Sequence, residues 1–164
     1  MIHKTFPIAE KLLDSGLHLS QSLHRHLQEE MEAFKQHRTS ASLESMTLRK
    51  QQLVNELNQF AKQLGQVLET ERLPNNQLGI NAYLDKATNA GLDVSELVKK
   101  WKQITDLAVT SRALNDRNGA SIDILLRHTR QSLNILKGKS PTATTYGPDG
   151  STKSDLLSGT SISV

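Results

Sequence analysis

The chain has no cysteine. Disulfides and thiolate metal sites are thereby excluded, and a reducing compartment is the natural expectation. Aromatic residues are scarce, at 4% of 164 residues, and hydrophobic residues together reach only 36%. So few large side chains suit long helices packed side by side, where most positions are solvated, better than a broad globular core. The length supports one domain. No run of about 18 apolar residues occurs, so no membrane-spanning helix is expected. Met1 to Leu13 also lacks the apolar centre of a signal peptide. A cytoplasmic protein is the expectation.

Charge of one sign is also in short supply. The formal net charge is +3. Residues 1–39 balance five basic against five acidic side chains, whereas residues 94–138 carry eight basic against four acidic. That surplus is spread over a long stretch with few aromatics. It reads as a solvated helix face rather than a nucleic-acid surface, which needs denser basic clusters and rings for stacking.

What is present is helical periodicity. Residues 94–137 contain no proline and one glycine, and steps of three and four carry an apolar or small residue from Leu97 through Trp101, Ile104, Ala108 and Ser111. The stripe continues through Asn115, Asn118, Ile122, Leu125, Thr129, Leu133 and Leu136. One long amphipathic helix is predicted here. A first helix is expected from about Ile8 to His37, with Thr5 and Pro7 as its start signal. A second is expected over Ala41 to Glu71. Its seam of Leu43, Met46, Lys50, Leu53, Leu57, Phe60, Leu64 and Val67 alternates three and four without a slip, a heptad pattern. Pro74-Asn75-Asn76 breaks the chain, and a short helix should follow over Leu78 to Asn89. Gly91 suits a left-handed termination, and Asp93 with Glu96 has capping-box spacing ahead of the long helix. The predicted fold is all-α: an antiparallel bundle of three long helices plus one short helix over residues 1–138. A disordered tail is expected over 139–164, where 16 of 26 residues are Ser, Thr, Gly or Pro.

Polar residues in the seams are the informative ones. Lys50 is expected to snorkel, its stem covered and its ammonium in water. Its other reading is a pin for helix alignment or a partner contact. Asn115 and Asn118 read as a polar layer that fixes alignment, or as a point where the packing opens to a partner helix. Gly119 directly after them allows close helix approach and also weakens the helix. Glu29-Glu30 reads as an ordinary exposed acidic pair. The six histidines lack the His-x-x-x-His arrangement with an intervening Glu, and no glycine-rich phosphate loop occurs. No enzyme, metal or cofactor is expected.

Several of these residues resemble the C-terminal half of the FlgN family of flagellar type III export chaperones. They are Trp101 with Ile104, Leu114-Asn115-x-x-Asn118-Gly119, Leu133-x-Ile135-Leu136-Lys137, Tyr146-Gly147-x-Asp149-Gly150, and the final Ile162-Ser163-Val164. The resemblance implies a cytoplasmic helical chaperone. Its implied cargo is the C-terminal helical segments of the hook-filament junction proteins, FlgK and FlgL. It also implies docking on the export gate, FlhA, through the tyrosine after the last helix, here Tyr146, with Gly147, Asp149 and Gly150 forming a turn. Pro148 departs from the family pattern and should stiffen that turn.

The length of the last helix suggests where cargo would sit. Its C-terminal half, with Ile122, Leu125, Leu126, Leu133 and Leu136, is expected to outrun its neighbours and offer an apolar stripe to an amphipathic helix. The competing expectation is a structural coiled-coil adaptor or stalk subunit, fully paired in a larger assembly. Monomer and dimer are both compatible with the sequence.

Overall fold

In the computed structural model the chain is described over residues 1–36 and 39–136, side chains excepted for Ser40 and for residues 121–136. Four helices occur among these residues, and no strand: α1 (Ile2–Lys35), α2 (Ser40–Thr70), α3 (Gln77–Asn89) and α4 (Ser95–Leu136). The molecule comprises two compact units, Met1–Ile122 and Asp123–Val164. In the second unit the described part is the continuation of α4 to Leu136.

In the first unit, side-chain pairs fix the helix directions. Thr5 on α1 meets Glu71 just past α2, and Glu30 near the other end of α1 meets Lys50 near the start of α2. The two helices therefore run in opposite directions. Asp14 meets Lys100, His24 meets Ser111 and Leu27 meets Asn118, so α4 runs in the same direction as α1.

The core gathers where α1 begins. Ile2, Phe6, Ala9 and Leu13 of α1 pack with Phe60, Leu64, Val67 and Leu68 of α2. Ile80, Tyr83 and Ala87 of α3, with Leu97 and Ile104 of α4, complete the cluster. The expected heptad seam on α2 is the buried face, with Leu53 at 2% exposure and Phe60, Leu64 and Val67 buried.

Helix α1 starts six residues earlier than expected, and Pro7 lies inside it. Proline removes one helical hydrogen bond and crowds the preceding turn. Burial of Ile2 and Phe6 on the same helix offsets that loss, because full burial of such side chains is worth about 1.5–3 kcal/mol each. Thr5 is consequently no cap. It is a buried hydrogen-bonding node.

The connections follow their local chemistry. Asn76 caps α3 by accepting from the Gly79 backbone N–H at 3.0 Å. Gly79 fits closely under the preceding loop: a Cβ there would stand 1.8 Å from the Pro74 carbonyl oxygen. Gly91 adopts φ of 76°, the left-handed termination that its sequence position suggested. Asp93 Oδ1 accepts from the Ser95 backbone N–H at 3.0 Å, and α4 begins there. That hydrogen bond holds the Asp93 carboxyl below its usual range.

Candidate functional site

Two buried carboxylates and one open apolar groove dominate the first unit. Glu30, on the inner face of α1, is 1% exposed. Lys50 of α2 donates to both its oxygens, at 2.9 and 3.2 Å, and Asn118 of α4 donates to Oε2 at 2.8 Å. Asn118 Nδ2 also donates to the Leu27 carbonyl at 2.9 Å, across one turn of α1. Its amide orientation is thereby set: reversing it would aim Oδ1 at a carbonyl and a carboxylate. Oδ1 itself is buried without a hydrogen-bond partner among the described residues. The cluster thus draws one residue from each of three helices. Beside it, His26 Nε2 lies 2.7 Å from the Met46 carbonyl of α2, while His24 Nδ1 lies 3.3 Å from Ser111 Oγ of α4. Two residues apart on α1, these rings reach different helices.

The second carboxylate, Glu71, lies at the opposite end of the α1–α2 pair. Thr5 donates to Oε1 at 2.7 Å, Lys86 donates to Oε2 at 2.5 Å, and the Tyr83 hydroxyl donates to Thr5 at 3.2 Å. Burial alone would push the Glu71 carboxyl up. The hydrogen bonds from Lys86 and Thr5, with the charges of Lys86 and the N-terminal ammonium, outweigh it and hold the carboxyl below its usual range. Burial pushes the Tyr83 hydroxyl up, and the nearby Glu71 charge adds to that despite the opposing bond to Thr5. Tyr83 therefore stays protonated as a donor.

The groove of about 570 Å³ lies between α2 and α4, over α1. Val54, Leu57 and Phe60 form the α2 wall, Ile104, Leu107 and Ala108 the α4 wall, and Leu23 with Leu27 the floor. At one end the lining turns polar, with Lys50, Arg112 and Asn115. Among the described residues no carboxylate lines it.

The positions singled out in the sequence distribute unevenly over this arrangement. Lys50 does not reach for water as expected; its ammonium is bound to Glu30 and its side chain is 22% exposed. The two asparagines do not form one layer: Asn118 is buried at 1%, whereas Asn115 is exposed at the groove end. Gly119 is exposed and has nothing within 4 Å of a Cβ position, so close helix approach is not its role among the described residues. Ile122, Leu125, Leu126, Leu133 and Leu136 lie on α4, but their side chains lie outside the described residues. Tyr146, Gly147, Asp149 and Gly150 lie outside them altogether.

Glu30 is what the sequence reading missed. Glu29-Glu30 looked like a surface pair, yet successive helix residues point about 100° apart, and only Glu30 falls on the buried face. A signal was present: Glu30 lies three residues beyond Leu27, on the apolar stripe itself. Among the described residues no group of His, Asp and Glu is placed to hold a metal ion. None of the described helices is long and apolar enough to cross a membrane.

Comparison with known families decides the affiliation. The model of the FlgN protein family matches residues 5–154. The chain belongs to the FlgN family. The match runs from the first turn of α1 past the end of α4, so α2, α3, α4 and all but the first three residues of α1 lie within the FlgN region. FlgN proteins are flagellar export chaperones. No curated protein and no solved structure matches the chain.

Proposed function

We propose that this protein is a cytoplasmic export chaperone, an antiparallel helical bundle that binds the C-terminal helical segments of FlgK and FlgL and delivers them to the export gate, FlhA. The observation that carries this reading is the FlgN family match over residues 5–154. It is supported by the length of α4, 42 residues against 31 in α2. At 1.5 Å per residue these are about 63 and 46 Å. A long amphipathic helix can offer an apolar stripe to another amphipathic helix, and the residues proposed for cargo are Ile122, Leu125, Leu126, Leu133 and Leu136. Tyr146, in the Tyr146-Gly147-Pro148-Asp149-Gly150 turn sequence, is the proposed anchor for the gate. An aromatic side chain in a short turn gives a local, reversible contact. Binding of this kind calls on no nucleotide or metal.

Calorimetric titration of the full chain with the C-terminal segments of the two junction proteins tests the reading. Saturable binding with a negative heat-capacity change, the mark of apolar burial, is expected. Leu125→Asp combined with Leu133→Asp should abolish it in a protein of unchanged helicity. Absence of heat with either segment at several temperatures would refute the chaperone assignment in favour of a structural coiled-coil subunit.

A further inference from the structure

We propose that the groove between α2 and α4 seats one amphipathic helix of the cargo, lying parallel to α4 with its acidic C-terminal end against Lys50 and Arg112. This deepens the chaperone reading and rests on it. The groove is a separate surface from the stripe assigned to cargo above.

Three features define the occupant. The first is length. From Ile104 to Asn115 the α4 wall runs over 12 residues, about 16 Å for the eleven steps at 1.5 Å each. A guest helix of about three turns fits that length, presenting anchors at i, i+3 or i+4, and i+7. The second is volume. A void left by deleting one leucine side chain measures roughly 150 Å³. The groove, at about 570 Å³, takes between three and four such side chains. Length and volume therefore ask for the same number of anchors. The apolar part of the lining is aliphatic apart from Phe60, so aliphatic anchors match it.

The third feature is charge, which sets direction. Lys50 and Arg112 stand at one end, Asn115 adds a donor, and among the described residues no carboxylate lines the groove. Lys50 already serves Glu30, but Arg112 is exposed and makes no ion pair among the described residues. Cations favour the C-terminal end of a helix, where the dipole is negative and the last carbonyls lack partners. A guest helix placed that way runs from the Phe60–Ile104 end toward Arg112, along α4 and against α2. Carboxylates in its last turn would add to the attraction.

Titration of the full chain with the junction-protein segments separates this inference from the assignment beneath it. Ala108→Glu puts a carboxylate on the exposed groove wall, while Val109→Glu, one residue on and 71% exposed, lies outside the groove. Ala108→Glu should weaken cargo binding by at least about tenfold, and Val109→Glu should leave it unchanged. Arg112→Glu should weaken it as well. A nitroxide on the C-terminal end of the bound segment should broaden amide signals near Arg112 rather than near Phe60. If the unaltered chain binds neither segment, the chaperone assignment itself fails. If it binds, but Ala108→Glu and Arg112→Glu bind equally well, the groove inference alone is overturned. It is overturned too if Ala108→Glu abolishes self-association of the chain, seen by sedimentation, while cargo binding persists.

Discussion

Two glycines should respond to alanine with opposite signs. At Gly79 a new methyl would stand 1.8 Å from a backbone oxygen of Pro74, and backbone cannot swing aside as a side chain can. Gly79→Ala is expected to cost about 2 kcal/mol, as overpacking does, read from urea denaturation. At Gly119 the same methyl enters open space in an exposed stretch of helix, and Gly119→Ala should stabilise by about 0.5–1 kcal/mol. Glu71 gives a pH-dependent case. Its carboxyl is held below the usual range in the folded chain, so the unfolded chain binds more protons in the interval between the two values. The stability it contributes is complete above the unfolded value, near pH 4.3, and is lost as pH falls through the folded one. Glu71→Gln should lower stability at neutral pH and flatten its loss in acid, measured as denaturation midpoints across pH 3–7. Equal slopes for the two proteins would contradict the assignment.

At the scale of helices, the Glu30 cluster joins α1, α2 and α4, and its two charged members should differ in cost. Lys50→Ala strands a carboxylate that is 1% exposed, and an unpaired buried charge costs about 3–5 kcal/mol. Glu30→Ala leaves an ammonium whose side chain is 22% exposed and can turn to water, so its cost should be smaller. The double variant should cost less than the sum, and chemical denaturation of the three proteins measures all of this. Much of the helical layout was legible beforehand, because α2 keeps a strict three-four alternation and α3 is bracketed by Asn76 and Gly91. The start of α1 was not, since Pro7 is a strong local signal and only the tertiary burial of Ile2 and Phe6 outweighs it. A glycine inside a helix ordinarily weakens it, yet at Gly16 of α1 the Phe60 ring of α2 fills the space a Cβ would occupy, as close as 2.5 Å. The Glu30 cluster was only half legible. Lys50 and Asn118 stood out as polar residues in apolar seams, but which carboxylate they share depends on how three helices align. The groove was not legible at all, because periodicity shows which face of a helix is apolar and not whether a neighbour covers it.

At the scale of the whole molecule, cargo capture and gate docking are assigned to different residues and should separate genetically. Tyr146→Ala is expected to weaken binding to the cytoplasmic part of FlhA while leaving cargo titration curves unchanged; parallel loss of both would move Tyr146 into the cargo site. The two buried carboxylates have a consequence for how the chain reaches this architecture. A hairpin built on a heptad seam has rival alignments, displaced by seven residues or about 10 Å, in which most seam positions exchange one apolar residue for another. Such a slip of α2 would bring Leu43 or Leu57 opposite Glu30, the former with Leu64 opposite Thr5, and either moves Glu71 away from Thr5. Glu30 would then be buried without Lys50, and the Thr5–Glu71 pair would part in the same step. Mismatched hairpins are thus penalised at both ends at once, which widens the gap between the native pairing and its nearest competitors.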